Sequence, residues 1–460
     1  MKLTNPATEK VIAELPEDPP AAIATKVDRA RAAQPRWAAL PVSRRIETIR
    51  RFAAALVAQK ADLALTLTRE MGKPITQANN ELAAMAGRID FFLNSTSALL
   101  EEDLVFREPE SGAVPRLIES IAYEPLGVVA NISAWNYPYF VGSNVFVPAL
   151  LTGNSVVYKP SEITAQTGLA TARLLHESGV PEDVFSTVIG GGAAGRALLD
   201  QPVDGVFFTG SHATGKKIAE AVAGRLVKTQ LELGGKDPTY VADDVDVRAA
   251  AESLADGAFY NTGQSCCSVE RVYVHESVAP AFIDAFVDVV RAFPIGDPED
   301  EKTYIGPLAR AAQLEVLATQ VDDAVAKGAK VLLGGKRLPR PGNFFAPTVL
   351  TQVDSTMAVM RDESFGPIIG IQVVKNDQEA IALMNDTEYG LTAGVYSRDQ
   401  ARARAILKEV NAGSVYWNCC DRVSPRLPWT GRKHSGIGST LSTLGIRTFL
   451  QPKAWHLRAP

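Results

Sequence analysis

Between residues 20 and 101 the apolar side chains recur at helical spacing, with Ile46, Ile49, Phe52, Ala53 and Leu56 falling on one face. The opening stretch therefore predicts mostly helix. From about residue 127 the texture changes to short apolar runs alternating with amphipathic stretches. The runs 127–132, 155–158, 184–189, 205–208 and 228–231 predict strands, and 137–152, 162–178, 193–200 and 213–223 predict helices. Strands that alternate with helices imply a parallel sheet covered on both faces.

A second alternating series follows. It predicts a helix over 246–261, with Asp246 as N-cap and a stop near Gly263, then a strand over 269–275. Helices over 277–291 and 307–327 and strands near 330, 368 and 393 continue it. Gly234-Gly235 marks the boundary between the two series. The segment 107–123 fits neither pattern and is expected to be an excursion, a hairpin used for oligomerisation. The fold class is α/β.

Composition narrows the function more than the fold. With 47 Lys+Arg against 52 Asp+Glu and a net charge of −5, the chain has no electrostatic footprint for nucleic acid or an anionic membrane. The most apolar stretch, 140–151, is interrupted by Ser143 and Asn144 and is too short to span a bilayer. Met1-Lys2-Leu3-Thr4-Asn5-Pro6 lacks the apolar core of a secretory signal, so a cytoplasmic protein is expected. The four cysteines form two adjacent pairs, Cys266-Cys267 and Cys419-Cys420. They make neither a disulfide framework nor a zinc-spaced cluster, which points to a reducing compartment and no metal.

Several short segments carry candidate chemistry. Gly190-Gly191-Gly192-Ala193-Ala194-Gly195 matches G-x-G-x-x-G, but the following strand ends in Thr209-Gly210-Ser211 rather than in a ribose-binding acid. A turn lining the edge of a cofactor site fits better than an ordinary dinucleotide fingerprint. Thr209-Gly210-Ser211 through Gly215-Lys216 reads as a strand running into a helix. It serves either as an anion site built on free N–H groups or as a plain turn with Ser211 as cap. Cys266 and Cys267 sit in the polar loop Asn261-Thr262-Gly263-Gln264-Ser265, where an exposed thiol could act as nucleophile and a buried one would be structural. Glu232, ending the run Leu231-Glu232-Leu233-Gly234-Gly235-Lys236, reads as a desolvated general base or as an exposed carboxylate paired with Lys. Asn136, just before Pro138, either caps a helix or donates to an oxyanion.

Taken together these segments resemble the aldehyde dehydrogenase superfamily, in order, from Asn5-Pro6-Ala7-Thr8 to Ser435-Gly436-Ile437-Gly438. The carrying motifs are Leu231-Glu232-Leu233-Gly234-Gly235, Gly263-Gln264-Ser265-Cys266, Glu363-Ser364-Phe365-Gly366-Pro367 and Pro428-Trp429 through Lys433. The resemblance implies a Rossmann-like cofactor domain (1–106 and 124–234), an α/β catalytic domain (235–435) and a small β oligomerisation extension (107–123 and 445–460), in a homodimer or homotetramer. It implies Cys266 as nucleophile, Glu232 as general base and Asn136 as oxyanion donor. Trp135, Lys159, Ser161, Glu162, Gly192, Gly210, Ser211, Gly215, Leu233, Glu363 and Phe365 would hold the dinucleotide. The carboxylate of Glu162 favours NAD, with NADP as second choice. Tyr137 and Trp429 would line the substrate tunnel.

The chain departs from the family pattern in three places. It lacks the leader often found before the Asn-Pro motif. Ser439-Thr440 stands where many relatives carry Arg-Glu, which removes a second active-site carboxylate. Asn144 and Val423 replace bulkier tunnel residues. Arg422 and Arg426, before Pro428-Trp429, suggest recognition of a carboxylate-bearing aldehyde such as succinate semialdehyde. The expected reaction is oxidation of an aldehyde to the carboxylic acid through a cysteine thiohemiacetal and thioester. The alternatives are a CoA-acylating semialdehyde dehydrogenase, against which Glu232 argues, and a catalytically silent, crystallin-like structural or binding protein.

Overall fold

The structure, a computed structural model, describes residues 1–108 and 116–459. The helical opening resolves into four helices, Pro20–Ala38, Val42–Ala58, Lys60–Met71 and Ile75–Leu99. Pro41 and Pro74 stand just before the second and fourth helices, with Gly72 in a left-handed conformation closing the third. Their inward faces, with Phe52, Leu67, Met85 and Phe92, share one core with the helix Pro138–Leu151. That helix is buried nearly all round, which accounts for its unbroken apolar character.

A six-stranded sheet follows, in the spatial order Gly436–Ile437, Lys228–Glu232, Gly205–Thr209, Val128–Ile132, Ser155–Lys159 and Phe185–Thr187. All neighbours are parallel except the first pair. After Val128–Ile132 the chain adds Ser155–Lys159 and Phe185–Thr187 on one side of it, then Gly205–Thr209 and Lys228–Glu232 on the other. The order therefore reverses there, and the C-terminal ends of the strands open a crevice at that switch point.

Past Gly234-Gly235 the chain enters a second sheet of seven strands. Its order is Lys330–Leu333, Thr348–Thr351, Ile368–Val374, Val269–His275, Asp237–Val241, Thr392–Tyr396 and Ser414–Trp417. Asp237–Val241, Thr348–Thr351 and Ser414–Trp417 had no counterpart in the hydrophobic pattern. Asp237-Pro238 reads as a strand breaker, and the structure accommodates the proline at a register shift next to the strand's first residue. The predicted helix 307–327 begins only at Ala311. Asp246 does cap the helix Val247–Phe259, accepting from the Ala249 N–H at 3.1 Å.

Part of the expected excursion, 109–115, lies outside the described residues. On either side of it Asp103–Arg107 and Leu117–Pro125 pair antiparallel, and Leu450–Arg458 adds a third strand in register from Leu450↔Pro125 to Arg458↔Leu117. Leu104, Val105, Trp455 and Leu457 are exposed on this small sheet.

The C-terminal segment also returns to the first sheet, where Gly436 pairs with Glu232. Gly436 has φ 132°, and a Cβ there would lie 2.0 Å from the Leu231 carbonyl oxygen. Gly87, inside the helix Ile75–Leu99, has nothing within 4 Å of a built Cβ. Gly436→Ala should therefore cost about 3 kcal/mol through strain and overlap. Gly87→Ala should gain about 0.5–1 kcal/mol through helix propensity. Unfolding midpoints in urea, shifting in opposite directions for the two variants, check both.

Candidate active site at the meeting of two cavities

Two cavities abut at the C-terminal ends of the first sheet's strands. The larger, about 930 Å³, runs over Ile132, Lys159, Thr209 and Leu233; the smaller, about 420 Å³, lies among Ala84, Arg88, Phe140, Asn144 and Trp429. Asn136, Thr209, Glu232 and Cys266 line both. The three predicted catalytic residues thus come together at the wall where the two spaces meet.

Cys266 is placed by a tight turn. Asn261, Thr262 and Gly263 have φ values of 54°, 58° and 69°, three successive left-handed residues, which is costly for a β-branched threonine. Side-chain bonds hold the turn. Asn261 Nδ2 donates to the carbonyls of Asn136 (3.2 Å) and Gln264 (3.0 Å), and Gln264 Oε1 accepts from Ala309 N at 2.9 Å. Gly263 faces Gly366 so closely that a Cβ would lie 2.3 Å from the Gly366 oxygen. Asn136 Nδ2 donates one hydrogen to the Gln264 carbonyl at 3.2 Å, leaving its second N–H for the cavity. The Cys266 N–H has no acceptor among the described residues.

The two neighbouring thiols differ. Cys266 is half-buried and lines both cavities, whereas Cys267 is buried. The Cys267 thiol is pushed well above its usual range by its bond to Cys266 and by burial; its Sγ also donates to Asp421 Oδ1 at 3.0 Å. Cys420 is wedged against Gly257 and lines neither cavity.

Glu232 is buried, and burial raises its carboxyl to about 7. The alternative reading, an exposed carboxylate paired with Lys236, is overturned. Lys236 Nζ instead bonds Glu270 Oε2 at 2.6 Å in a buried ion pair. The Glu232 carboxylate accepts a hydrogen bond from the Thr440 hydroxyl, so the residue standing where many relatives carry a second carboxylate is a donor to the first.

The residues of the larger cavity suit an elongated anionic molecule. Lys159 is a buried cation whose Nζ bonds the Pro160 carbonyl (3.2 Å) and lies 3.9 Å from the half-exposed Glu162 carboxylate. Ser211 caps the helix His212–Val222, accepting from Thr214 N at 3.4 Å, as the turn reading expected, and it also lines the cavity. Gly192 and Gly195 border the far edge, after the sheet's edge strand. Trp135 and Phe365 meet edge to face at 5.4 Å at the inner end. Gly215 is the exception. It lies outside the cavity, under Leu233, where a Cβ would meet that side chain at 2.4 Å.

The sequence profile of the aldehyde dehydrogenase family matches residues 1–455. The chain belongs to the aldehyde dehydrogenase family. It is 35% identical to the Malus domestica aminoaldehyde dehydrogenase 2, over 98% of this chain and 91% of that protein. It is also 35% identical to the Deinococcus radiodurans succinate-semialdehyde dehydrogenase [NADP(+)], over 98% of this chain and 93% of that one. The crystal structure of an NAD-dependent aldehyde dehydrogenase from Sinorhizobium meliloti superposes with a TM-score of 0.95 at 34% identity, covering 100% of this chain and 92% of that one. This aldehyde dehydrogenase is accordingly an oxidoreductase that oxidises an aldehyde with NAD or NADP.

Four features of the aldehyde dehydrogenase site escaped the sequence. Thr440 is the first. The second is the Glu270–Lys236 pair, in which Glu270 accepts from the Ser364 and Phe365 N–H groups and so fixes the loop bearing Glu363. The third is Glu81, whose Oε1 accepts from Tyr139 and Phe140 N–H at 3.0 and 3.3 Å and caps the helix behind Asn136. Its other oxygen pairs with buried Lys73, which sits 3.7 Å over the Tyr137 ring. The fourth is Arg88, a buried guanidinium in the smaller cavity. Of the two loop arginines expected there, Arg422 is an exposed rim residue and Arg426 lies outside the cavity, because the 422–427 loop turns both outward. Each missed group is a charge or hydroxyl within a hydrophobic pattern, and the signal was available: Glu81, Met85, Arg88 and Phe92 share one buried face.

Because the Thr440 hydroxyl stabilises the ionised form of Glu232, its removal should raise that carboxyl further. Thr440→Val should move the acidic limb of the kcat–pH profile upward from near 7 by about one unit. A stopped-flow pH series on both proteins checks this.

Proposed function

We propose that this enzyme oxidises its aldehyde to the free carboxylic acid through a thioester on Cys266, with Glu232 as general base and Asn136 as oxyanion donor. The observation that carries the reading is that these three side chains line both cavities at once. An aldehyde in the smaller cavity and a nicotinamide in the larger would then meet at Cys266.

The Cys266 thiolate attacks the carbonyl carbon, and the oxygen becomes an oxyanion. The second Asn136 N–H and the free Cys266 N–H are placed to receive it, each such donor being worth about 3–4 kcal/mol. When bound, the nicotinamide supplies the hydride acceptor, and the carbon left on Cys266 is a thioester. Glu232, near half ionisation at neutral pH, takes a proton from water. The resulting hydroxide attacks the thioester carbonyl, the carbon–sulfur bond breaks, and the acid leaves with Cys266 regenerated as thiolate. A buried carboxyl raised to about 7 suits this step and argues for water over CoA as acyl acceptor.

Lys159, Ser161 and Glu162 would hold the adenosine ribose, Gly210 and Ser211 the pyrophosphate, and Glu363, Trp135, Leu233 and Phe365 the nicotinamide end. Gly192 would border the adenine. The Glu162 carboxylate would accept both ribose hydroxyls and repel a 2′-phosphate, so NAD is preferred. Tyr137 and Trp429 line the aldehyde's cavity. The boundaries 1–106 with 124–234, 235–435, and 107–123 with 445–460 define its domains. The exposed apolar residues of the small three-stranded sheet support a homodimer or homotetramer. No helix among the described residues is long and apolar enough to cross a membrane; four cysteines in two adjacent pairs support a cytoplasmic location.

The test is pre-steady-state. Glu232→Gln should release one equivalent of reduced cofactor per active site and then turn over about 100-fold or more slower than wild type. Cys266→Ser should show neither burst nor turnover. Steady turnover by Glu232→Gln at the wild-type rate would remove Glu232 as base.

A further inference from the structure

The smaller cavity holds one buried cation, Arg88, with no ion-pair partner among the described residues. Arg88 lies on the buried face of the helix Ile75–Leu99 and is 5% exposed. Its guanidinium carbon sits 4.1 Å over the Phe140 ring, which fixes its plane. Nη1 donates to Asn144 Oδ1 at 2.7 Å, and Nε has no partner. Arg88 forms no ion pair among the described residues.

Each of the four carboxylates lining the same cavity already has a partner, Glu232 accepting from the Thr440 hydroxyl. Glu81 is paired with Lys73 and caps a helix; Asp256 accepts from the Tyr304 hydroxyl at 2.5 Å; Asp421 accepts from Cys267 Sγ at 3.0 Å. Burying a cation is costly unless an anion or a full set of hydrogen bonds compensates it. Here neither is present, and the unsatisfied edge belongs to a side chain that lines the cavity ending at Cys266. A guanidinium fork pre-oriented by an aromatic face and one amide suits a planar carboxylate.

We propose that Arg88 is the specificity-determining residue of this enzyme, binding the distal carboxylate of an aldehyde whose carbonyl lies at Cys266. The inference rests on the reading of Cys266 as nucleophile and goes beyond it by naming the substrate class: a short aldehyde that carries a carboxylate at its far end. Asn144 is the positioning residue. Its amide oxygen holds Nη1, while Nε and Nη2 have no partner among the described residues. The exposed Arg422 at the rim has no such constraint and contributes at most to the approach of the anion. A cationic aldehyde, such as an aminoaldehyde, would meet Arg88 with like charge and be disfavoured.

The test compares succinate semialdehyde with butanal, an uncharged aldehyde of the same chain length, in wild type, Arg88→Met and Arg88→Lys. The wild type should prefer the semialdehyde in kcat/KM. The ratio of the two kcat/KM values should fall by about 30-fold or more in Arg88→Met, chiefly through KM for the semialdehyde. Arg88→Lys should restore part of it. An equal loss on both aldehydes would make Arg88 a structural residue and overturn the inference, as would a wild type with no preference between them.

Should Arg88→Met not fold, wild type alone decides. Succinate should compete with the aldehyde at least tenfold more tightly than butanoate, and equal inhibition overturns the proposal. Activity on butanal without preference for the semialdehyde defeats this inference while sparing the catalytic reading. Absence of turnover on any aldehyde defeats the catalytic reading itself.

Discussion

Where the chain crosses from the first sheet to the second, two other loops approach it to within the width of a missing side chain. A Cβ on Gly234 would overlap the Glu363 carboxylate at 2.2 Å, and one on Gly235 would crowd the Cys266 carbonyl oxygen at 3.0 Å. Gly263 meets Gly366 just as closely. This close-packed seam brings together three segments far apart in sequence: the strand end with Glu232, the turn with Cys266, and the loop with Glu363. The buried Glu270–Lys236 ion pair locks the third segment to the other two. Any added bulk would part the walls of the two cavities and separate Cys266 from Glu232.

The electrostatics of the site follow from the same geometry. Closing the seam desolvates Glu232 and Glu363, and burial raises both carboxyls, to about 7 and about 8. The first shift places the Glu232 carboxyl near neutrality, and the Thr440 hydroxyl restrains that rise. At this point the Glu232 carboxylate meets a hydroxyl, that of Thr440.

Much of this was readable from residue order because the seam is written in glycines and short motifs. Leu231 to Gly235, Gly263 to Cys266 and Glu363 to Pro367 each encode a local backbone requirement, and together they select the family. The helices were readable for a similar reason: their stop signals, such as Gly72 and Pro74, are local. What stayed hidden depends on partners distant in sequence. Nothing in the neighbourhood of Thr440 shows that its hydroxyl meets Glu232, since that contact exists only once Gly436 pairs with the Glu232 strand. Arg88 shares a helix face with Met85 and Phe92, but what that face meets is defined only once the helix is docked. Arg422 and Arg426, adjacent in sequence to a site motif, turn out to lie at or beyond the rim, because nearness along the chain does not fix which way a loop faces.

The central claim is that the acyl group is carried by Cys266, at the junction of the two cavities, and released by Glu232. Peptide mapping by mass spectrometry of the Glu232→Gln enzyme, quenched in acid after mixing with aldehyde and NAD, tests it directly. The account predicts an acyl mass addition on the peptide spanning residues 261–271, localised by fragmentation to Cys266 with Cys267 unmodified. Acylation of Cys267, or no acyl adduct in an enzyme that has reduced its cofactor, would contradict it.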